Sequence, residues 1–77
     1  MHTHIAQVNE VLFDGTAEAV TVPAIDGEMT VLPHHEPFIS TLKEGSITVR
    51  LEDKSEQKFD ITKGVLEVSN NKTTILL

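Results

Sequence analysis

The sequence contains no cysteine, no tryptophan and no tyrosine. The absence of cysteine excludes disulfide bonds and any zinc site with cysteine ligands. Without tryptophan and tyrosine, the hydrophobic core must be built from aliphatic side chains and the three phenylalanines, Phe13, Phe38 and Phe59. A chain of 77 residues predicts one domain, residues 1–77, with a small core.

Basic residues are also few, with six Lys and Arg against twelve Asp and Glu, which gives a net charge of -6. Nucleic acids and anionic membrane surfaces require Lys and Arg to offset phosphate, so this charge argues against both and favours a basic partner. No apolar run approaches the roughly 20 residues of a spanning helix, and no secretory leader is visible. We therefore expect no direct insertion into lipid and, as the default, a cytoplasmic location.

Hydrophobic residues recur mostly with period two, and turn residues follow about every ten to twelve positions. This pattern predicts an all-β fold, a small sandwich or flattened barrel of about eight to ten mostly antiparallel strands. Residues 38–42 also fit helical spacing, but β-branched Ile39 and Thr41 favour a strand. The predicted strands are 3–8, 11–13, 17–22, 28–32, 38–42, 46–51, 58–61, 65–69 and 73–77.

Turns are predicted where glycine or asparagine follows a polar residue, because these residues tolerate positive φ. Within the strands, Val20 and Val22 share one face, and Leu66 is predicted to be a core residue. The turn pairs are Asp14-Gly15, Asp26-Gly27, Glu44-Gly45, Lys63-Gly64 and Asn70-Asn71.

The loop 33–37 begins at Pro33 and ends at Pro37, and both prolines fix φ and lack a backbone N–H. We expect a stiff, exposed loop that carries His34, His35 and Glu36. A polar loop of this kind is suited to contact a partner, and it equally fits a merely solvated surface loop.

The histidines could in principle bind zinc or act as a general base. His34 and His35 are adjacent, so they point apart in an extended loop, whereas His2 and His4 share one face of the first strand. Ser40 lies near His35 in sequence, but no nucleophile motif surrounds it. No phosphate-binding loop is present either. These patterns therefore assign no catalytic, cofactor-binding or metal-binding residue, and the chain is not expected to be an enzyme.

Seven segments come in order with their spacings kept: 11–15 (VLFDG), 20–23 (VTVP), 27–33 (GEMTVLP), 35–37 (HEP), 42–45 (LKEG), 64–68 (GVLEV) and 71–76 (NKTTIL). Together they resemble the N-terminal β-sandwich of the epsilon subunit of bacterial F-type ATP synthase. The resemblance runs from about Ile5 to the end of the chain. The family has glycine where this chain has Thr30, His34 and Lys63, so we expect altered loop geometry there.

The resemblance implies a non-catalytic central-stalk subunit that links the gamma subunit to the c-ring and couples rotation to ATP synthesis. By motif, Glu28 and His35 match the family positions at the stalk and c-ring contact, and the gamma-facing surface should be apolar. The implied location is peripheral, at the cytoplasmic face of the inner (plasma) membrane. The C-terminal helical hairpin of typical epsilon subunits is not expected here. The alternative is a free-standing acidic β-sandwich that binds a ligand.

Overall fold

The computed structural model describes all 77 residues, Met1–Leu77, and contains nine strands and no helix. Residues 38–42 form a strand, as their β-branched residues favour, and the all-β prediction is confirmed. No helix in the structure is long and apolar enough to cross a membrane. The strands are β1 (His2–Gln7), β2 (Glu10–Thr16), β3 (Ala19–Ala24), β4 (Gly27–Val31), β5 (Phe38–Leu42), β6 (Gly45–Arg50), β7 (Glu56–Ile61), β8 (Gly64–Ser69) and β9 (Lys72–Leu76).

Hydrogen bonds join all nine strands into one curled sheet that folds into two halves. We call β2-β1-β9-β8-β5 the first layer and β4-β3-β6-β7 the second layer. Every strand pair is antiparallel except β1 with β9. Strands β2, β4 and β7 each have a single partner, so they form the edges of the layers.

The core lies between the layers and follows from the alternation of side chains along each strand. In β3 every second residue is buried, and Val20 and Val22 are fully inaccessible, as predicted. Leu66 is equally buried in β8, which confirms its prediction as a core residue. The buried apolar residues form one cluster: Met1, Ile5, Ala17, Val20, Val22, Ala24, Val31, Leu42, Ile47, Val49, Ile61, Leu66, Val68 and Ile75.

The two layers join at the corner where β5 passes β3. The N–H of Ile25 donates to the carbonyl of Thr41, and the N–H of Lys43 donates to the carbonyl of Pro23, both at 2.9 Å. A Cβ atom on Gly45 would lie 2.8 Å from Cβ of Pro23, closer than side chains approach. Glycine at this position therefore lets β6 begin directly against the corner.

The turn predictions are correct at one position and shifted or wrong at others. Asn70 and Asn71 form the predicted tight turn, with φ values of 52° and 57°. Asp14-Gly15 is not a turn but part of β2, because the chain reverses earlier, at Val8-Asn9. Aspartate followed by glycine is a frequent hairpin signal, and here the longer pairing of β2 with β1 overrides it.

The remaining three glycine turns are displaced by one residue. The turns fall on residues 25–26, 43–44 and 62–63, and the glycine that was expected inside each turn starts the next strand. Only Gly27 among these glycines has positive φ, at 131°.

Two buried threonines, Thr3 on β1 and Thr73 on β9, are paired across the parallel strands. The hydroxyl of Thr73 donates to Sδ of Met1 at 3.3 Å, whereas Oγ1 of Thr3 has no hydrogen-bond partner. A buried hydroxyl without a partner destabilises the folded state, because it leaves its hydrogen bonds to water behind.

Replacing Thr3 by valine keeps the shape of the side chain and removes the unpaired hydroxyl. We expect Thr3→Val to raise the free energy of unfolding by about 1 kcal/mol, measured by urea denaturation. Thr73→Val is the matched control, because it removes a hydroxyl that has a partner. It should raise the free energy of unfolding by less than Thr3→Val does. A Thr3→Val protein that is less stable than the parent would contradict this reading of Thr3.

The connection between β6 and β7 is organised by Asp53. Its carboxylate accepts from the hydroxyl of Ser55 at 2.6 Å and from the N–H of Ser55 at 2.9 Å. These two hydrogen bonds hold the pKa of Asp53 below its ordinary value of 3.8, and the bond from the hydroxyl has the larger effect. The stabilisation that they give is therefore present above the pKa of the unfolded chain and is lost as the pH falls through the lower, folded pKa.

Removing the Ser55 hydroxyl should raise the pKa of Asp53 part of the way back to its ordinary value. We expect the NMR titration midpoint of the Asp53 carboxyl to rise towards 3.8 in Ser55→Ala and to remain below it, because the backbone N–H still donates. Ser69→Ala, at the end of β8, is the control and should leave the midpoint unchanged. An identical midpoint in Ser55→Ala and the parent protein would show that the hydroxyl does not stabilise the carboxylate.

Candidate functional site

Glu28 is the second residue of β4 and lies opposite Pro23 of β3, next to the tight turn at residues 25–26. Its neighbour Gly27 has φ of 131°, a conformation that side-chain-bearing residues rarely adopt. The side chain of Glu28 is exposed and makes no hydrogen bond or ion pair within the chain. Its carboxylate is therefore free to accept hydrogen bonds from a partner.

The loop between β4 and β5 is exposed, as predicted, and its backbone is tied to the rest of the fold. The N–H of His34 donates to Oδ1 of Asn71 at 2.8 Å, and the N–H of His35 donates to the carbonyl of Leu32 at 3.2 Å. The first bond joins the loop to the turn between β8 and β9. Asn71 was expected only as a turn residue, and nothing in the sequence indicated its contact with a residue 37 positions away.

His34 has φ of 66°, in the left-handed region that glycine populates easily. Histidine is enriched there relative to most residues, but the conformation still costs on the order of 1 kcal/mol. The hydrogen bond from its N–H to Asn71 helps to hold it. Thr30 and Lys63 do not have positive φ. Of the three positions expected to alter loop geometry, His34 is therefore the one with a left-handed backbone.

The imidazole of His35 is half-buried and fixed from two directions. Its Nδ1 lies 2.8 Å from the carbonyl oxygen of Glu36, and because a carbonyl only accepts, Nδ1 carries the proton. The ring packs edge-on against Phe38, with centroids 6.1 Å apart and an interplanar angle of 69°. In the neutral ring, Nε2 is left as an acceptor.

Glu28 lies near the start of β4 and His35 lies in the loop beyond its end, and no hydrogen bond or ion pair joins their side chains. Val31, the last residue of β4, is three positions after Glu28, or about 10 Å along the strand. Both residues nevertheless belong to one continuous segment, which starts on β4 at an edge of the second layer and continues into the loop that leads to β5 of the first layer. This segment, residues 27–37, is called the β4 edge below.

The other histidines are arranged differently. His2 Nε2 and His4 Nδ1 lie 3.2 and 3.0 Å from the two carboxylate oxygens of Asp14 on β2. The two imidazoles share one face of β1, as the spacing predicts, but the role of Asp14 was missed because it was assigned to a turn. No three His, Asp or Glu side chains are arranged so that they could hold a metal ion.

Ser40, the serine nearest to His35 in sequence, donates its hydroxyl to the carbonyl of Thr41 at 3.1 Å. This bond ties the hydroxyl to the backbone of its own strand, β5. A serine nucleophile instead needs its hydroxyl within hydrogen-bond reach of a base.

Residues 1–77 match the family described as "ATP synthase, Delta/Epsilon chain, beta-sandwich domain". The chain is 34% identical over 76 residues to the ATP synthase epsilon chain of Delftia acidovorans, covering 99% of this chain and 55% of that protein. It is 36% identical over 72 residues to the epsilon chain of Chlorobium limicola, covering 94% of this chain and 82% of that protein. The chain thus spans about half the length of the Delftia relative.

Two solved structures share the fold. A chain in the Euglena gracilis mitochondrial ATP synthase structure, described as OSCP/F1/c-ring, superposes with a TM-score of 0.90 at 24% identity, over 96% of this chain and 48% of that one. A chain in the Tetrahymena thermophila mitochondrial ATP synthase structure, described as central stalk/c-ring, gives a TM-score of 0.81 at 18% identity. This match covers 97% of this chain and 60% of that one.

The bond between Asn71 and His34 can be tested without disturbing the turn. Asn71→Gly removes the acceptor and keeps a residue that tolerates the observed φ. Losing a hydrogen bond worth about 1 kcal/mol should make amide hydrogen exchange at His34 about fivefold faster. Asn70→Gly is the matched control, since Asn70 has nearly the same φ. Equal exchange rates in both variants would show that Asn71 does not hold the loop.

Proposed function

Because the chain belongs to the ATP synthase delta/epsilon β-sandwich family, we propose that it is a non-catalytic subunit of the central stalk in a proton-translocating F-type ATP synthase. Residues 1–77 act as one domain that links the gamma subunit to the c-ring, so that rotation of the ring is coupled to ATP synthesis. The observation that carries this proposal is the match of the whole chain, residues 1–77, to the family.

The c-ring contact is proposed at the β4 edge, through Glu28 and His35. Glu28 supports this role because its carboxylate is exposed and has no partner in the chain. A basic side chain on a polar loop of the ring would form a charge-assisted hydrogen bond with it. At an exposed rim, such a contact governs register and the rate of encounter more than affinity. The net charge of -6 also attracts a basic partner to this chain.

His35 supplies a fixed point in the same surface. Its ring is held by the carbonyl of Glu36 and the edge of Phe38, and the loop backbone is held by Asn71. A contact made by an immobilised side chain loses little conformational entropy on binding. The loop can therefore meet the ring without first having to be ordered.

The mechanical role follows from the pairing of the strands. Each strand is hydrogen-bonded to at least one neighbour, and the two layers are joined at the corner between β3 and β5. A closely packed core is hard to compress, so a force applied at the β4 edge is passed to the rest of the domain. The subunit would thus transmit rotation from the ring to gamma without performing chemistry itself.

The proposed location is peripheral to the membrane, at the cytoplasmic face of the inner (plasma) membrane, where a c-ring would present its polar loops. The alternative, a free-standing β-sandwich that binds a ligand, is not favoured because the relatives are named as ATP synthase epsilon chains.

Reversing the charge at Glu28 tests the proposed contact. In ATP synthase reconstituted into vesicles with this subunit, we expect Glu28→Lys to weaken association with the c-ring about tenfold, equivalent to about 1.4 kcal/mol. ATP-driven proton pumping should fall while ATP hydrolysis persists. The reason is that a cation would replace the acceptor of a charge-assisted bond.

Glu52→Lys is the matched control, because Glu52 is also exposed and lies in the distant connection between β6 and β7. Thermal unfolding should show that both variants remain folded. If Glu28→Lys and Glu52→Lys pump protons equally well, Glu28 does not contact the ring.

A further inference from the structure

A thioether and two hydroxyls lie together inside the core, beside the start of β1. Met1 extends β1 by one residue, because its backbone nitrogen donates to the carbonyl of Ala17 and its own carbonyl accepts from the N–H of Ala17, both at 2.9 Å. Residues two apart share a face of a strand, so Met1 and Thr3 both point into the core. Thr73 of β9 lies opposite Thr3. We call Met1, Thr3 and Thr73 the thioether cluster.

The hydroxyls of the thioether cluster are poorly supplied with acceptors. The hydroxyl of Thr73 donates to Sδ of Met1 at 3.3 Å, and Oγ1 of Thr3 has no partner. A thioether sulfur is only a weak acceptor, and both threonines are fully buried, so water does not replace it. The cluster therefore holds two hydroxyl donors and one weak side-chain acceptor, which is bonded to only one of them.

Oxidation of the sulfur would change this balance. Hydrogen peroxide transfers one oxygen atom to a thioether: the S–O bond forms as the O–O bond breaks, the sulfur is oxidised by two electrons, and the peroxide leaves as water. The product, methionine sulfoxide, is polar and usually disrupts an apolar core. In the thioether cluster, by contrast, the new oxygen would be a strong acceptor beside two hydroxyl donors.

We propose that Met1 is a reversible oxidation site, in which the sulfoxide oxygen accepts hydrogen bonds from the hydroxyls of Thr3 and Thr73. Met1 keeps 9% of its surface accessible, so a molecule as small as hydrogen peroxide reaches the sulfur during local opening. The methionine side chain has three rotatable bonds, with which it turns the oxygen towards the hydroxyls.

The consequence would be a core that tolerates oxidation at this position. Thr3 lies on β1 and Thr73 on β9, so a single sulfoxide oxygen would join the two parallel strands through their side chains. The inference goes beyond the proposed function and does not depend on it, because it uses no residue of the β4 edge.

The test requires a protein in which Met1 is the single methionine. The chain has two methionines, and the second, Met29 on β4, is replaced by leucine, which has a similar volume. Met29→Leu protein is treated with hydrogen peroxide, the addition of one oxygen atom is confirmed by mass spectrometry, and reduced and oxidised forms are unfolded in urea.

Replacement of Thr3 by valine should have opposite effects in the two forms. In the reduced form, Thr3→Val removes an unpaired hydroxyl and should raise the folding equilibrium constant about fivefold. In the oxidised form it removes a donor to the sulfoxide and should lower that constant about fivefold. Thr73→Val should likewise lower the constant more in the oxidised form than in the reduced form.

Thr48→Val is the matched control, because Thr48 is half-buried on β6 in the second layer. It should change the constant by the same factor in both forms. If Thr3→Val or Thr73→Val also has equal effects in the two forms, the hydroxyls do not bind the sulfoxide and the proposal is overturned.

A second measurement covers the case in which oxidation unfolds the chain. With a ¹³C-labelled methyl group on Met1, the oxidised Met29→Leu protein should give one sharp methyl resonance and a folded amide spectrum. Methionine sulfoxide reductase with a dithiol, which is oxidised to a disulfide as the sulfoxide oxygen leaves as water, should restore the spectrum of the reduced form. An unfolded spectrum after oxidation, or a sulfoxide that the reductase does not remove, would refute the proposal.

Discussion

The fold depends on the burial of small aliphatic side chains at every second position of strands in two facing layers. The chain has no cysteine, tryptophan or tyrosine with which to reinforce its core. Its largest fully buried side chains are isoleucine and leucine, among them Ile5, Ile47, Leu66 and Ile75. A slip of one residue in any strand would turn these side chains to water and charged ones inward, so the alternation itself specifies the register.

This constraint explains what could be predicted from the sequence. The strands around Val20, Val49 and Leu66 were correct because one face of each is buried and period two is visible. Asp14-Gly15 was misread because local turn preference does not report how far two strands stay paired. The contact between His34 and Asn71, and the shared role of Asp14, join residues that are distant in sequence.

The β4 edge presents a free carboxylate and a fixed imidazole, as suits an exposed contact with a basic, moving partner. The β4 edge touches both layers, because it starts on β4 of the second layer and its loop is tied to the turn between β8 and β9 of the first.

The parallel pairing of β1 with β9 has a consequence for how the protein is made. The second strand to which β1 must bond is β9, which is synthesised after the other eight strands, so the first layer stays open until Leu76 has emerged from the ribosome. Contacts between such distant residues slow folding. Until then β1 is paired only with β2, and its other edge stays exposed and prone to join a neighbouring polypeptide.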